Sequence, residues 1–297
     1  MTHRRAVLIL LGCTFVWGAS FTLNKMVLAS VTPLVFMAVR FGCSALLVAP
    51  VYRRTVRADW RTGLPLGALF GIQLALFVVG LDRIEPARAA FLFSFQTPLV
   101  PALMLLAHRQ APTRRDGVAV ALAVLGAWWL TSPTGGGFGL GDLATIGSAC
   151  CAALYVVAAG AVTGRHEPLR LLAVQFVSMA LVGLGLALAF EPLRFRPSAA
   201  ALVLIPFLAV SSIATFGGQL LGQQRIRPTE ASLLYALEPL VAAGTSYLSF
   251  GERLSGWQWL GGLTIVAASF VAQGKPADRA NPSPTVPVSG PPTASGG

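Results

Sequence analysis

Charge is scarce in this chain: 11% of its 297 residues are Asp, Glu, Lys or Arg, where a soluble domain carries about a quarter. That shortage excludes an ordinary soluble globular protein. Acidic residues are scarcer still, 11 against 22 basic, and every basic residue except Lys25 and Lys275 is an arginine. Such a balance raises the idea of a nucleic-acid partner. A binder of that kind clusters its basic residues on one face or on a recognisable module, whereas here they punctuate apolar runs, so no nucleic acid is expected. Histidine occurs three times, in or near basic loops. The four cysteines, Cys13, Cys43, Cys150 and Cys151, lie in apolar stretches without CxxC or His-containing metal spacing, which marks them as small buried hydrophobes rather than metal ligands. HExxH and GxSxG are missing, and the Gly-rich "TGGGFGLG" (134–141) lacks the GK[ST] ending of a phosphate loop. No metal, no cofactor and no enzymatic activity is expected.

What the chain has in abundance is apolar residues, 55% of the total. Runs of about eighteen or more recur from one end to the other, as membrane-spanning helices require. Ten spans are predicted, near 6–24, 32–52, 63–81, 86–107, 116–132, 142–163, 168–190, 200–222, 228–250 and 257–273. Helices are the practical choice, because in lipid the backbone must satisfy its own hydrogen bonds. The opening "MTHRRAVLILLGCTFVWGAS" has the basic start and apolar middle of a signal peptide, but no A-x-A site follows, and it reads as a retained first helix. Alternate loops divide the basic residues fifteen against six, with Arg40 left over. Positively charged loops stay cytoplasmic, which places both termini there. The Pro-, Ser- and Gly-rich end, 274–297, has little to bury and is expected to be a disordered tail.

An internal repeat emerges on shifting the chain. A shift of 135 residues sets Pro33 on Pro168 and Arg40 on Gln175, and one of 141 sets "TPLV" (97–100) on "EPLV" (238–241). The expected architecture is an all-α membrane protein of ten transmembrane helices in two five-helix repeats, 1–133 and 142–273, joined by a linker at 134–141. An odd helix count per half inverts the second relative to the first, the arrangement of many secondary transporters. The segments "FVWGASFTLNKMVLASVTPLVFMAVRF", "GDLATIGSACCAALYVV" and "ASLLYALEPLVAAGTSYLSFGERLSGWQWLGG" resemble the patterns of the EamA family in the drug/metabolite transporter superfamily. The resemblance covers nearly all of 6–272. It implies a multi-pass protein of the plasma (bacterial inner) membrane that exports small metabolites or amino acids by alternating access, and it is compatible with a homodimer. The chain departs from the family pattern in two places: Ala111 stands thirteen residues beyond Pro98 where a Glu is common, although Glu252 stands thirteen beyond Pro239, and Ala152 replaces a frequent Trp.

Arg40 interrupts an apolar run of twenty-one residues, 32–52. A charge at mid-membrane costs at least about 2.5–3.5 kcal/mol and needs a partner or a task. By helix rise, Arg40 lies roughly 12 Å inside its span and Glu238 roughly 15 Å inside its own, from the opposite face. Trp17, Gln73, Gln96 and Ser211 fall at similar depth, Gln175 slightly shallower. The substrate-site candidates are therefore Arg40, Glu238, Trp17, Gln73, Gln96 and Gln175 around a midplane cavity, with Glu238 also a proton-coupling candidate. Structural readings stand beside each. Arg40 pairs permanently with Glu238 or with carbonyls; Glu238 serves a kink at Pro239; the glutamines bridge helices; Trp17–Gly18 is close packing; Tyr155 and Tyr235 face neighbouring helices. Asn24 and Lys25 read as a snorkelling helix end, and Glu252–Arg253 as an exposed end-of-helix pair. Two other classes compete with transport: an intramembrane lipid-modifying enzyme and a structural membrane protein.

Overall fold

A computed structural model describes residues 2–107, 114–131, 138–162, 166–223, 234–235 and 237–273. The named elements among them are α-helices: α1 (His3–Leu28), α2 (Pro33–Leu47), α3 (Ala49–Tyr52), α4 (Arg57–Arg83), α5 (Pro86–Phe93), α6 (Gln96–Ala107), α7 (Arg114–Thr131), α8 (Leu140–Val162), α9 (Pro168–Phe190), α10 (Ala199–Gln223), α11 (Glu238–Phe250) and α12 (Gly256–Gln273). Five described stretches are long and apolar enough to cross a membrane: His3–Leu28, Arg57–Arg83, Leu140–Ala159, Pro168–Phe190 and Ala199–Gln219. Large apolar side chains stand open on the outside, Leu46 at 76%, Val203 at 70% and Leu248 at 82%. Facing water, such a surface would aggregate; facing lipid, it is stable. The predicted tail, 274–297, and residues 134–137 of the predicted linker lie outside the described residues, while Leu140 already opens α8.

Proline sets where helices start and where they break. Pro33, Pro86, Pro168 and Pro239 occupy first-turn positions, where a missing N–H costs nothing. Three spans expected to be continuous are interrupted. The 32–52 span breaks at Val48, and the 86–107 span at the turn Ser94–Phe95; in the 228–250 span Leu237 forms a turn before α11. Each break sits within four residues upstream of a proline (Pro50, Pro98, Pro239), where the ring meets the carbonyl of the residue four back. Pro65 and Pro206 remain inside α4 and α10.

The helices pack in an order that closes on itself. α11 lies against α1, α1 against α10, α10 against α2, α2 against α9, α9 against α4, α4 against α8, and α8 against α6 and α5, which returns to α11; α7 and α12 pair beside this ring. Glycines bring backbones together. A Cβ at Gly18 would lie 2.6 Å from Val241 Cβ and 2.7 Å from the Glu238 carbonyl oxygen, and one at Gly67 would lie 2.7 Å from Gln175 Cα. Small residues permit this approach, which dispersion and packing then stabilise. Gly18→Leu is expected to cost about 1–3 kcal/mol by overpacking and to lower the thermal midpoint in detergent. Gly12→Leu, whose Cβ meets nothing within 4 Å, should leave it unchanged.

Both ends of the ring are tied. At the end where α1 begins, here the near end, Asp59 Oδ1 pairs with His166 Nδ1 at 2.9 Å, Arg170 lies 3.7 Å from Asp59 Oδ2, and Tyr52 donates to the Ala173 carbonyl at 3.4 Å. At the far end, the Glu191 carboxylate accepts the Leu34 N–H at 3.0 and 3.2 Å, and Arg88 pairs with Asp142 at 2.7 Å. Val31 and Phe195 form a β-bridge beside them. Glu252 also belongs to the far end. It accepts the Ala87 N–H at 3.1 Å and the Ser246 hydroxyl, so the expected exposed pair with Arg253 gives way to a cap on α5. Nor does Lys25 snorkel. Its ammonium donates to the carbonyls of Leu81, Asp82 and Ile84 at 2.8–3.0 Å, closing the C-terminus of α4 where the dipole favours a cation.

Candidate functional site

Arg40 reaches across the ring from α2. Its Nη1 donates to Asn24 Oδ1 on α1 at 2.9 Å, while Nε and Nη2 both donate to Ser212 Oγ on α10, at 3.2 and 2.9 Å. The guanidinium also lies 5.2 Å from the Phe41 ring centroid and 6.0 Å from that of Phe36. All these partners are neutral. Among the described residues no carboxylate pairs with Arg40, so the permanent pair with Glu238 weighed from sequence does not form. A guanidinium has five donors, and three are spent on these bonds.

An aromatic wall runs inward from this charge. Phe41 stacks on Phe176 with centroids 6.1 Å apart; Phe176 reaches Phe216 at 6.3 Å; Phe216 meets Phe70 at 5.3 Å and Trp17 at 6.0 Å. Tyr155 stacks on Phe70 at 4.3 Å and donates its hydroxyl to Gln175 Oε1 at 2.7 Å. Trp17 donates Nε1 to Thr215 Oγ1 at 3.0 Å and packs on Tyr235 at 5.6 Å. These rings come from α1, α2, α4, α8, α9 and α10, around the inside of the ring. Arg40, Trp17, Tyr155 and Phe216 are half-buried rather than fully enclosed.

Glu238 opens α11. Its backbone carbonyl adjoins Gly18, the next turn presents Val241 to Gly18, and Thr245 bonds Thr22 at 2.9 Å. Residues 238, 241 and 245 share one helical stripe, so Glu238 lies on the face that α11 turns to α1, beside Trp17. Its carboxylate has no hydrogen-bond partner among the described residues. A negative charge in a first turn is also favoured by the helix dipole.

The other candidates separate. Gln175 joins the aromatic cluster through Tyr155, although it is buried. Gln73 is spent elsewhere, donating to Ser148 at 2.8 Å between α4 and α8, and Gln96 sits half-buried at the start of α6. Sequence reasoning missed Asn24, Ser212 and Thr215. Asn24, 2% exposed, had been set at a solvent-facing helix end. Ser212 and Thr215 each bond a carbonyl four residues back, at 2.7 and 2.8 Å, the habit of hydroxyls in apolar helices, which hides their second contact.

The model of the EamA-like transporter family matches twice, over residues 4–132 and 139–273. An uncharacterized transporter of Archaeoglobus fulgidus is 24% identical over 259 residues, 86% of this chain and 82% of its own. The threonine/homoserine exporter RhtA of Escherichia coli K12 is 29% identical over 222 residues, 70% of each chain, and that of Salmonella typhimurium LT2 is 28% identical over the same length. A protein crystal structure superposes with a TM-score of 0.63 at 19% identity, covering 91% of this chain and 97% of the other. That likeness concerns the fold.

Proposed function

The chain belongs to the EamA-like transporter family, and from that premise we propose that it is a secondary exporter of small metabolites or amino acids, working by alternating access around the chamber at Arg40. The observation that carries this reading is a guanidinium inside the helix ring whose bonds go to neutral Asn24 and Ser212. A charge so placed is costly, and an arriving carboxylate offsets the cost while accepting the two unspent donors. The amino-acid class is supported by relatives named as threonine/homoserine exporters.

The same reading arranges the chain as ten transmembrane helices in two inverted five-helix repeats, 1–133 and 142–273, with both termini cytoplasmic and the far end facing outward across the plasma membrane. The two family matches, 4–132 and 139–273, support the repeat. Trp17, Gln175 and Glu238 line the site with Arg40. The ties at the two ends cross between the halves: Asp59 to His166 at the near end, Glu191 to Leu34 and Glu252 to Ala87 at the far end. Alternating access breaks one set while the other holds. The relatives' names as transporters support transport rather than catalysis.

Glu238 is the proton carrier in this scheme, motivated by its depth and by a carboxylate without a described partner. In proteoliposomes loaded with labelled amino acids, efflux by the intact chain should rise with an inward proton gradient. Glu238→Gln should remove that dependence while leaving residual facilitated exchange. An unaltered pH profile in the variant would remove Glu238 from coupling, and no efflux of any amino acid or toxic metabolite from a broad panel would defeat the exporter reading itself.

A further inference from the structure

The loop between α9 and α10, Glu191–Ser198, reads "EPLRFRPS" and sets two arginines on either side of Phe195. Its backbone is held at the far end by the turn between α1 and α2. Val31 and Phe195 form a β-bridge, the Thr32 N–H donates to the Arg194 carbonyl at 3.5 Å, and the Ser198 N–H donates to Ser30 Oγ at 3.2 Å. None of these bonds uses a guanidinium. Both arginine side chains are exposed, and among the described residues neither makes a side-chain hydrogen bond or an ion pair. Beside them lies a cavity of about 580 Å³, lined by Ser30, Leu193, Arg194, Phe195 and Arg196. Its wall thus offers two positive charges, a hydroxyl and two apolar side chains, but no carboxylate. Glu191, the acid of this loop, is spent on the Leu34 N–H.

The position of the cavity says what can reach it. The loop joins two stretches long and apolar enough to cross a membrane, Pro168–Phe190 and Ala199–Gln219, so it sits where hydrocarbon gives way to headgroups. The flank next to it is apolar and open: Leu188, Phe190, Leu202 and Val203 are 58–76% exposed. Leu193 and Phe195, 61% and 47% exposed, continue that flank up to the cavity. At this level apolar and aromatic side chains lie against acyl chains while arginine heads reach the phosphates. A guanidinium grips phosphate oxygens through paired N–H donors, and two around one cavity suit a phosphodiester. A headgroup carrying its own ammonium would meet two like charges and no carboxylate. We propose that this cavity holds the headgroup of an anionic phospholipid such as phosphatidylglycerol, its phosphate between Arg194 and Arg196 and its acyl chains passing Leu193 and Phe195 onto the apolar flank. The proposal does not depend on the exporter reading.

Native mass spectrometry and melting curves of the full chain in neutral detergent test the site, with phosphatidylglycerol, phosphatidylethanolamine and water-soluble glycerophosphate as probes. The intact chain should retain phosphatidylglycerol over phosphatidylethanolamine by about tenfold or more, since each arginine near a membrane surface contributes about fivefold. Phosphatidylglycerol should also raise the melting midpoint, as any ligand of the folded state does. Arg194→Gln with Arg196→Gln should remove both the preference and the rise, and leave the lipid-free midpoint unchanged. Arg194→Lys with Arg196→Lys keeps the charge without the fork and should retain part of the preference, which a misfolded protein would not. Arg83→Gln with Arg253→Gln takes the same charge from the other far-end cavity and should retain all of it. Several results overturn the site: no preference in the intact chain, a preference that survives loss of Arg194 and Arg196, or an equal loss without Arg83 and Arg253, which would make it diffuse surface charge. Glycerophosphate raising the midpoint as much as phosphatidylglycerol would make the ligand a soluble phosphate ester and overturn the lipid.

Discussion

Arg40→Met is expected to abolish transport while leaving the protein as stable as before, or more so. Removing a charge from mid-membrane relieves a desolvation cost of several kcal/mol, and a Met of similar length refills the space; replacement of buried charges by apolar side chains is often neutral or stabilising. The loss on the other side is small, because the abandoned partners keep alternatives. Ser212 retains its bond to the Leu208 carbonyl at 2.7 Å, so the unpaired group is chiefly Asn24 Oδ1, at about 1–3 kcal/mol. Transport, by contrast, loses both charge-assisted bonds to the carboxylate, each worth about 1.5–3 kcal/mol, which corresponds to at least a hundredfold slower efflux. Arg40→Lys should rescue little. The planar fork reaches α1 and α10 at once through fixed donors, and an ammonium on a flexible stem cannot hold Asn24 and Ser212 and still face a ligand. Melting curves and initial efflux rates on the same preparations check both halves. A variant that is inactive because it is unstable would make Arg40 a structural residue.

Parts of this site were legible in the sequence for identifiable reasons. Arg40 and Glu238 stood out because charge in an apolar run is costly, and the cost does not depend on the partner. Trp17 and Gln175 followed from depth counting along a regular rise. The breaks at Ser94–Phe95 and at Leu237 were written in Pro98 and Pro239, yet a proline inside an apolar run does not by itself tell a break from a tolerated kink, as Pro65 and Pro206 demonstrate. Asn24 was misplaced because depth was counted along α1 alone, whereas a long arginine brings its head to a level its own Cα does not occupy. Lys25, Glu191 and Glu252 act on backbone groups far away in sequence: Glu252 and Ala87 are 165 positions apart. Backbone N–H and C=O groups occur at every position, so residue type carries no signal for such a partner.

Glu252→Ala is expected to loosen the far end by roughly 2–4 kcal/mol, since it strips the cap from α5 and leaves the Ala87 N–H and the Ser246 hydroxyl without their acceptor. At about 1.4 kcal/mol per factor of ten, amide exchange across Pro86–Phe93 should accelerate some thirtyfold or more. Glu252→Gln keeps an acceptor oxygen and should cost less. The pH dependence distinguishes a cap from a gate. Burial pushes the Glu252 carboxyl above the usual carboxylate range and neighbouring Glu85 adds to this, while the bonds from Ser246, Ala87 and the Arg88 backbone oppose it. The tied far end therefore holds a proton that a solvated Glu252 would release. Since the carboxyl is raised in the tied state, its contribution is fully present below the ordinary carboxylate value and is lost as pH rises through the raised one. Arg83 and Arg253 also line the cavity beside it, about 250 Å³ in volume, and Arg88 is engaged by Asp142. Exchange in Pro86–Phe93 should thus quicken with rising pH, beyond the intrinsic base catalysis seen in a reference peptide, and the excess should vanish in Glu252→Gln. If that excess persists in the variant, the titrating group lies elsewhere and Glu252 is a cap alone. If it vanishes, Glu252 is the group whose deprotonation loosens the far end as pH rises.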